Sequence, residues 1–329
     1  MNTSAMNHQT LHVTDARSRI SRRALAVGIA ALFASSSALA IDWSKVPTRN
    51  VILFHPGQAS WEWVMTQADH SGASKFRAGK NCSGCHDGEQ KEIGGKIAAG
   101  GKMEPGPRAD KKGSVLLKVA AAHDADRLWL RLQWPVGTSS AAAAGKFAAR
   151  ATVMLDDGHV KEAARAGCWS SCHDDAIGMA SAPKGKSITK YLAASRTKIA
   201  RSGGGENFKS PGELAALLKQ GIFLEYWQAA LNPGKPAKAV SGYILDRRHE
   251  HKTPASAATA TLKDGQWTVE LSRPLKAAGA GQKTIGPGTR YSLGFAVHDN
   301  QTAHRQHWVS LEQTLVLDSG TADFVAKGQ

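Results

Sequence analysis

Arg127-Leu128-Trp129-Leu130-Arg131-Leu132-Gln133-Trp134 decides the fold class. Successive side chains of a strand point to opposite faces, so Leu128, Leu130 and Leu132 share one face while Trp129, Arg131 and Gln133 share the other. Residues 114–121 lie upstream, across the turn His123-Asp124-Ala125-Asp126, and the two runs read as a hairpin. Residues 151–155 form a further strand. The same period of two returns at Trp267, Val269 and Leu271, at Tyr291, Leu293, Phe295 and Val297, and in a last strand over 308–317. Several half-apolar strands joined by polar turns predict a mainly β chain built as an antiparallel β-sandwich.

All four cysteines fall into two tight pairs, each followed directly by histidine. Cys82-Ser83-Gly84-Cys85-His86 has the spacing of a haem-attachment site. Two thiols one helical turn apart can add to the two vinyl groups of one porphyrin, and the next residue, His86, then stands over the iron as its proximal ligand. Cys168-Trp169-Ser170-Ser171-Cys172-His173 repeats the arrangement with one extra residue between the thiols. Aspartate follows histidine in both, at Asp87 and Asp174. Disulfides within each pair would account for the cysteines but not for the histidines. A zinc ribbon usually has shorter, more symmetric knuckles, and a thioredoxin-like site belongs beside a βαβ pattern that is absent here. The cofactors expected are two covalent haems c, bound through Cys82, Cys85, Cys168 and Cys172.

The compartment fits that chemistry. Arg17, Arg19, Arg22 and Arg23 precede an apolar run over 24–33, and Ala38-Leu39-Ala40 supplies small residues for cleavage. Residues 1–40 therefore read as a signal peptide cut after Ala40, with the mature chain starting at Ile41 in the periplasm. No later run is long and apolar enough for a membrane anchor, so a soluble protein is expected. Residues 1–40 hold four arginines and one aspartate, which leaves 38 basic against 26 acidic residues from Ile41, a formal +12. That balance favours acidic partners through steering. Nucleic acid is excluded as a partner for an exported chain.

Three regions follow. Residues 41–112 form a small irregular or helical haem c segment, with a short strand over 51–54, the aromatic residues Trp61 and Trp63 and a Gly/Lys/Pro-rich connector over 94–113. Residues 113–320 form the sandwich domain. A helical insertion at about 158–235 carries the second motif, with helices expected over 188–200, 213–219 and 222–231. The basic run Lys184, Lys186, Lys190, Arg196, Lys198 and Arg201 reads first as a solvated helix face, with a docking surface beside the second haem as the alternative.

On these residues the chain resembles a known family. Ala296-Val297-His298-Asp299 followed by His307-Trp308-Val309-Ser310 is similar to the haem-binding domain of the ethylbenzene dehydrogenase gamma subunit, a domain shared with dihaem cytochromes of the c-552 type. The resemblance covers about residues 110–320. Asp69-His70-Ser71-Gly72-Ala73 resembles the extra haem module of the dihaem members. In the gamma subunits one haem b is held by a methionine and a lysine. His307 stands at the lysine's position, and the second haem motif occupies the region of the methionine. The resemblance therefore implies a c-type haem between His173 and His307.

For the first haem, opposite His86, the distal candidates are His70, His55 and Met103, with His70 preferred for its closeness to the motif and its agreement with the family pattern. For the second, His307 leads His298, His304, Met179 and Met154. His159, His249 and His251 are taken as structural or exposed. Two bis-histidine haems would lie lower in potential than Met/His pairs and leave no open site for substrate chemistry. The expected function is periplasmic electron transfer between redox proteins, among them a membrane cytochrome b or a molybdenum oxidoreductase. The alternatives are a haem enzyme with one open-coordinate iron, reducing peroxide or a nitrogen oxide, and an electron-relay subunit of a larger oxidoreductase complex.

Overall fold

The 127–134 stretch becomes a strand whose leucines and Trp134 are buried while the residues between them are partly exposed. The computed structural model describes residues 41–57, 64–100, 112–137, 146–167, 191–197, 199–200, 203–204, 208–299 and 307–329. The signal peptide expected at 1–40, Trp61, Trp63, Met103, Met179, His304 and the whole second motif Cys168–His173 lie outside them.

In chain order the elements begin with β1 (Thr48–Phe54), α1 (Ala73–Arg77), α2 (Ser83–His86) and α3 (Gln90–Ala98). The strands β2 (Ser114–His123), β3 (Arg127–Pro135) and β4 (Ala149–Asp156) follow. The middle of the chain holds α4 (Ala163–Ala166), β5 (Ile199–Ala200), β6 (Gly203–Gly204) and α5 (Pro211–Lys219). Then come β7 (Leu224–Leu231), β8 (Lys238–Ile244), β9 (Arg248–Glu250), β10 (Ala257–Lys263) and β11 (Gln266–Pro274). The chain finishes with β12 (Tyr291–Asp299), β13 (His307–Val309), β14 (Gln313–Leu317) and β15 (Phe324–Gly328).

Thirteen of these strands make one sheet: eleven run in the order β10-β11-β3-β2-β1-β13-β12-β4-β7-β8-β9, and β14 and β15 pair off this path. It folds over so that β10 and β11 pack against β7. The inward faces of both layers meet in one apolar core that includes Leu130, Val153, Trp227, Val269 and Phe295. Trp134 and Trp267 are register partners with ring centres 6.3 Å apart, a stacked pair worth about 0.5–1.5 kcal/mol beyond its buried area.

Between β2 and β12 the sheet splits into two short columns. β1 pairs with β2 over Thr48↔Ala120 to Phe54↔Ser114 and touches β13 at Phe54↔Val309. At the opposite end β15 takes the same side of β2, at Lys327↔Ala122, and pairs with β14. The chain breaks between β13 and β14 at Ser310-Leu311-Glu312, and that break faces the first haem motif.

Several expectations need correction. The helix expected over 222–231 is the strand β7, every residue of which is buried. A strand covered on both faces loses its alternation and reads like a buried helix. Residues 191–197, expected inside a helix, hold a 3-10 turn at Ala193–Ser195 and a bridge between Arg196 and Phe208. Arg196 is buried with its guanidinium 3.9 Å from the centre of the Phe208 ring, so it does not lie on a solvated face. The insertion therefore rejoins the sheet at Leu224 rather than at about 235. The last strand is two, and β15, beyond residue 320, belongs to the sheet through parallel pairings. Segment 41–112 is joined to the sandwich, since β1 is one of its strands. The helix expected over 213–219 is present within α5, capped by reciprocal bonds between Ser210 and Glu213.

Candidate functional site

The first motif folds as a single turn of helix. The backbone N–H groups of Cys85 and His86 both donate to Cys82 O, at 3.1 and 2.8 Å, and bring the two sulfur-bearing residues onto one side. Cys82 is buried and Cys85 exposed. Glu312, from the break between β13 and β14, caps this turn by accepting from Ser83 N–H at 2.9 Å and Ser83 Oγ at 2.5 Å. Burial pushes the Glu312 carboxyl above its ordinary value against the pull of those bonds. Burial, reinforced by Glu312, also pushes the Cys82 thiol up to about 12.

α1 brings the second wall. It buries Ala73 and Phe76 and carries the chain past His70. The α3 helix closes the far side through a close backbone approach: a Cβ on Gly94 would stand 2.0 Å from Gly113 O, and one on Gly113 would stand 2.4 Å from Gly95 N. Only glycine at both positions lets α3 lie on the junction of β1 and β2. The cavity between these elements is about 320 Å³ and is lined by Cys82, Cys85, His86 and His70 with Phe54, Phe76, Ile93 and Leu311 among its apolar walls. That volume falls in the range of about 300–1,000 Å³ found for cofactor and ligand sites.

His70 and His86 face each other with ring centres 6.0 Å apart and planes 38° apart. With metal–imidazole bonds of about 2.0–2.1 Å, as known for zinc, and a nitrogen about 1.1 Å from its ring centre, two trans imidazoles on one metal stand roughly 6 Å apart. The Nδ1–H of His70 donates to Val64 O at 2.9 Å, and the Nδ1–H of His86 donates to Glu89 Oε2 at 2.9 Å. Each bond puts the lone pair on Nε2, the arrangement that orients metal-bound histidines. Two thiols on one edge, two opposed imidazoles and apolar walls fit a haem c, with Cys82 and Cys85 able to hold its edge and His86 and His70 its iron.

His55, the rival distal residue, is fully buried and donates its backbone N–H to Gly113 O at 2.8 Å. It is not among the residues lining this cavity. Met154 is buried on β4 in a separate cluster with Val160 and Tyr226. His298 and His307 are cross-strand partners on β12 and β13 whose rings stack with centres 4.6 Å apart and planes 19° apart. That spacing is too short for a metal between the two rings, so at most one of them can serve a given iron.

The described chain nevertheless reaches the start of the second motif. Cys82 N–H donates to Arg165 O at 2.8 Å, three residues before Cys168. A Cβ on Gly167 would lie 3.1 Å from Glu312 Cα and N. Glu312 therefore contacts both approaches, the turn holding Cys82 and the residue preceding Cys168. Glu312 and Arg165 carry no local sign because long-range folding delivers them, and Val64 O, six residues before His70, is a backbone acceptor that no side-chain pattern marks. Glu89 did carry a signal, three residues after His86 on the next turn.

Among the described residues no helix is long and apolar enough to cross a membrane. A family model described as Ethylbenzene dehydrogenase matches residues 40–310. The chain is 35% identical over 305 residues to Cytochrome c-552 of Stutzerimonas stutzeri, covering 90% of this chain and 95% of that protein. It is 29% identical over 293 residues to Cytochrome c-551 of Rhodocyclus tenuis, covering 88% and 99%. By the reach of the model and the closeness of the first relative, this chain belongs to the ethylbenzene dehydrogenase family, alongside these cytochromes c.

Proposed function

We propose that this chain is a periplasmic dihaem cytochrome c that passes electrons between redox proteins and performs no substrate chemistry of its own. Cys82 and Cys85 carry one haem with His86 as proximal and His70 as distal ligand. Cys168 and Cys172 carry the other, with His173 proximal and His307 distal. When bound, each iron supplies a one-electron couple. The chain's own residues hold it rigidly, exclude water with apolar walls and fix the ligand tautomers.

The observation that carries this reading is the opposition of His70 and His86 across the Cys82/Cys85 cavity, 6.0 Å apart, with both Nδ1 atoms tied back. Two filled axial positions argue against the enzyme reading at this haem, because peroxide or nitrogen-oxide reduction requires an open one. His307 is preferred over its stacked neighbour His298 on the family resemblance, and the names of the two relatives support an electron-carrying role. Export through residues 1–40 rests on the leader pattern. An electron-relay subunit would share every one of these features and differ in co-purifying with its complex.

The test combines a pyridine haemochrome assay, intact mass and ferric spectra. The matured protein should carry two haems on a chain starting at Ile41, and Cys168→Ala/Cys172→Ala should carry one. His70→Ala should keep its covalent haem and turn one iron high-spin. A colourless protein, or a His70→Ala spectrum identical to wild type, refutes the assignment.

A further inference from the structure

Four cations gather on the α1 side of the first cavity. Lys75 and Lys80 are exposed and line it, as does the exposed Cys85, and no carboxylate lines the cavity. Arg77 donates to Met65 O at 2.6 Å. The Arg165 guanidinium lies 4.1 Å from the centre of the Phe76 ring and donates to Lys80 O at 3.4 and 3.3 Å. These partners are neutral, and among the described residues none of the four cations has an ion pair. Among the acids of the other flank, Glu89 is paired with His86, Glu92 with Lys96 and Glu312 inward with Ser83, while Asp87 accepts from the Gln90 amide and does not line the cavity.

Like charges held together repel, and a surface that retains them uncompensated projects a local positive field. We infer that this side of the mouth is the docking face for an acidic redox protein, with Lys75, Arg77 and Lys80 bordering the thioether edge of the haem. The inference rests on the reading of this cavity as a haem site. Chemistry separates it from a role for the lysines as counter-ions of the haem propionates. The sulfurs of Cys82 and Cys85 hold the vinyl edge, the propionates leave from the opposite edge, and Lys80 lies two residues before Cys82. Lys75 and Lys80 thus line the same cavity as the one exposed cysteine of the pair, at the edge that an outside protein can reach.

The experiment uses the full haem-loaded protein and photoreduced flavodoxin, an acidic one-electron donor, in flash kinetics over a range of salt. Lys75→Glu/Lys80→Glu should slow reduction by about tenfold or more at low ionic strength, the lower end of steering effects. The gap should close near 1 M salt, where the Debye length is about 3 Å. Lys75→Arg/Lys80→Arg should keep the wild-type rate, and Lys238→Glu/Lys263→Glu, exposed on β8 and β10, should change it less than twofold. Equal slowing in both charge-reversed proteins overturns the docking face. So does an unchanged rate with a shifted midpoint potential, which reassigns the lysines to the propionates. Equal loss of rate on adding anionic phosphatidylglycerol vesicles, abolished only by Lys75→Glu/Lys80→Glu, would reassign the face to lipid. A haem-loaded protein that gives any of these results leaves the haem reading intact, whereas a protein without haem at Cys82 and Cys85 removes both.

Discussion

The substitution Gly72→Ala tests the distal ligand without touching it. Gly72 precedes α1 with φ −78° and ψ 0°, a conformation alanine adopts freely. The new methyl group would stand 3.1 Å from His70 Nε2 and 3.2 Å from its Cε1. Non-bonded heavy atoms settle near about 3.5 Å or beyond, so the ring must retreat by a few tenths of an ångström, about 0.4 Å. Its other edge is held by the 2.9 Å bond from Nδ1–H to Val64 O, which limits a simple slide. Metal–ligand bonds tolerate about ±0.2 Å. The displacement exceeds that tolerance, so a distal bond from His70 should weaken or break. The fold itself should gain up to about 1 kcal/mol from a stiffer unfolded chain. Ferric absorption and electron paramagnetic resonance of the purified variant should therefore reveal a new high-spin fraction, reversed by added imidazole, with an unchanged or higher melting temperature. The Gly72→Ala/His70→Ala protein should match His70→Ala alone. A Gly72→Ala protein with wild-type low-spin spectrum and unchanged midpoint potential would refute His70 as a ligand.

Three further outcomes follow from the same structure. Lys283 is buried with Nζ 3.1 Å from Asp156 Oδ1, 2.5 Å from Asp157 Oδ1 and 2.7 Å from Gly221 O, so Lys283→Met should cost about 3–5 kcal/mol in urea unfolding. Burial works to raise the Asp157 carboxyl, but Lys283 and His159 hold it below its ordinary value. A depressed carboxyl stabilises above the ordinary carboxylate range and loses that contribution as pH falls through its folded value, so the wild-type advantage over Lys283→Met should shrink in acid. Glu312 is the opposite case: a carboxyl raised by burial costs stability as pH climbs from its ordinary value through the raised one. Glu312→Gln, whose amide oxygen can still accept from Ser83, should thus gain on wild type between acidic and neutral pH, and a constant difference across that range would contradict the assignment. Finally, Cys82→Ala/Cys85→Ala should lose hydrogen-exchange protection over 64–100 while β2, β3 and β11 retain it; uniform loss across the sheet would show that the haem segment and the sandwich fold as one unit.

The parts legible in the sequence are those whose signal is local. Leu128, Leu130 and Leu132 announce their strand because one face of β3 is covered and the other partly wet. The cysteine spacing announces a turn because two thiols and a histidine must share one side of it. β7 was misread as helix because Leu224, Tyr226, Trp227 and Leu231 are all buried and no polar face survives to mark the period. β15 was invisible because its parallel pairings with β14 and β2 depend on partners distant in the chain. His70 was legible as a candidate through its closeness to the motif, whereas the 6.0 Å opposition to His86 required the fold of residues 64–86. Glu312 carries no local sign at all: its role depends on a chain break that delivers a carboxylate from 229 residues away.

That delivery explains how a sandwich can build the Cys82/Cys85 cavity without opening its core. The main core lies between the layers, and the cluster around the cavity, with Phe54, Phe76, Cys82, Ala166, Val309 and Leu311, shares no residue with it. The cluster draws on the ends of β1 and β13, on Ala296 of β12, on α4 and on the short helices of segment 64–100, all outside the inward-facing rows of the sheet. Substitutions there change the walls of the cavity while leaving the Leu130, Val153 and Trp227 packing untouched. Ser310-Leu311-Glu312 is the point where the two regions meet, since Ser310 Oγ accepts from Phe295 N–H at 3.0 Å within the core while Leu311 and Glu312 turn outward to the cavity and the motif. A continuous strand there would satisfy more backbone bonds but would present neither side chain to the motif. The interruption of the last strand is therefore a structural requirement of the site, and Gly167 beside Glu312 places the approach to the second motif on the same interruption.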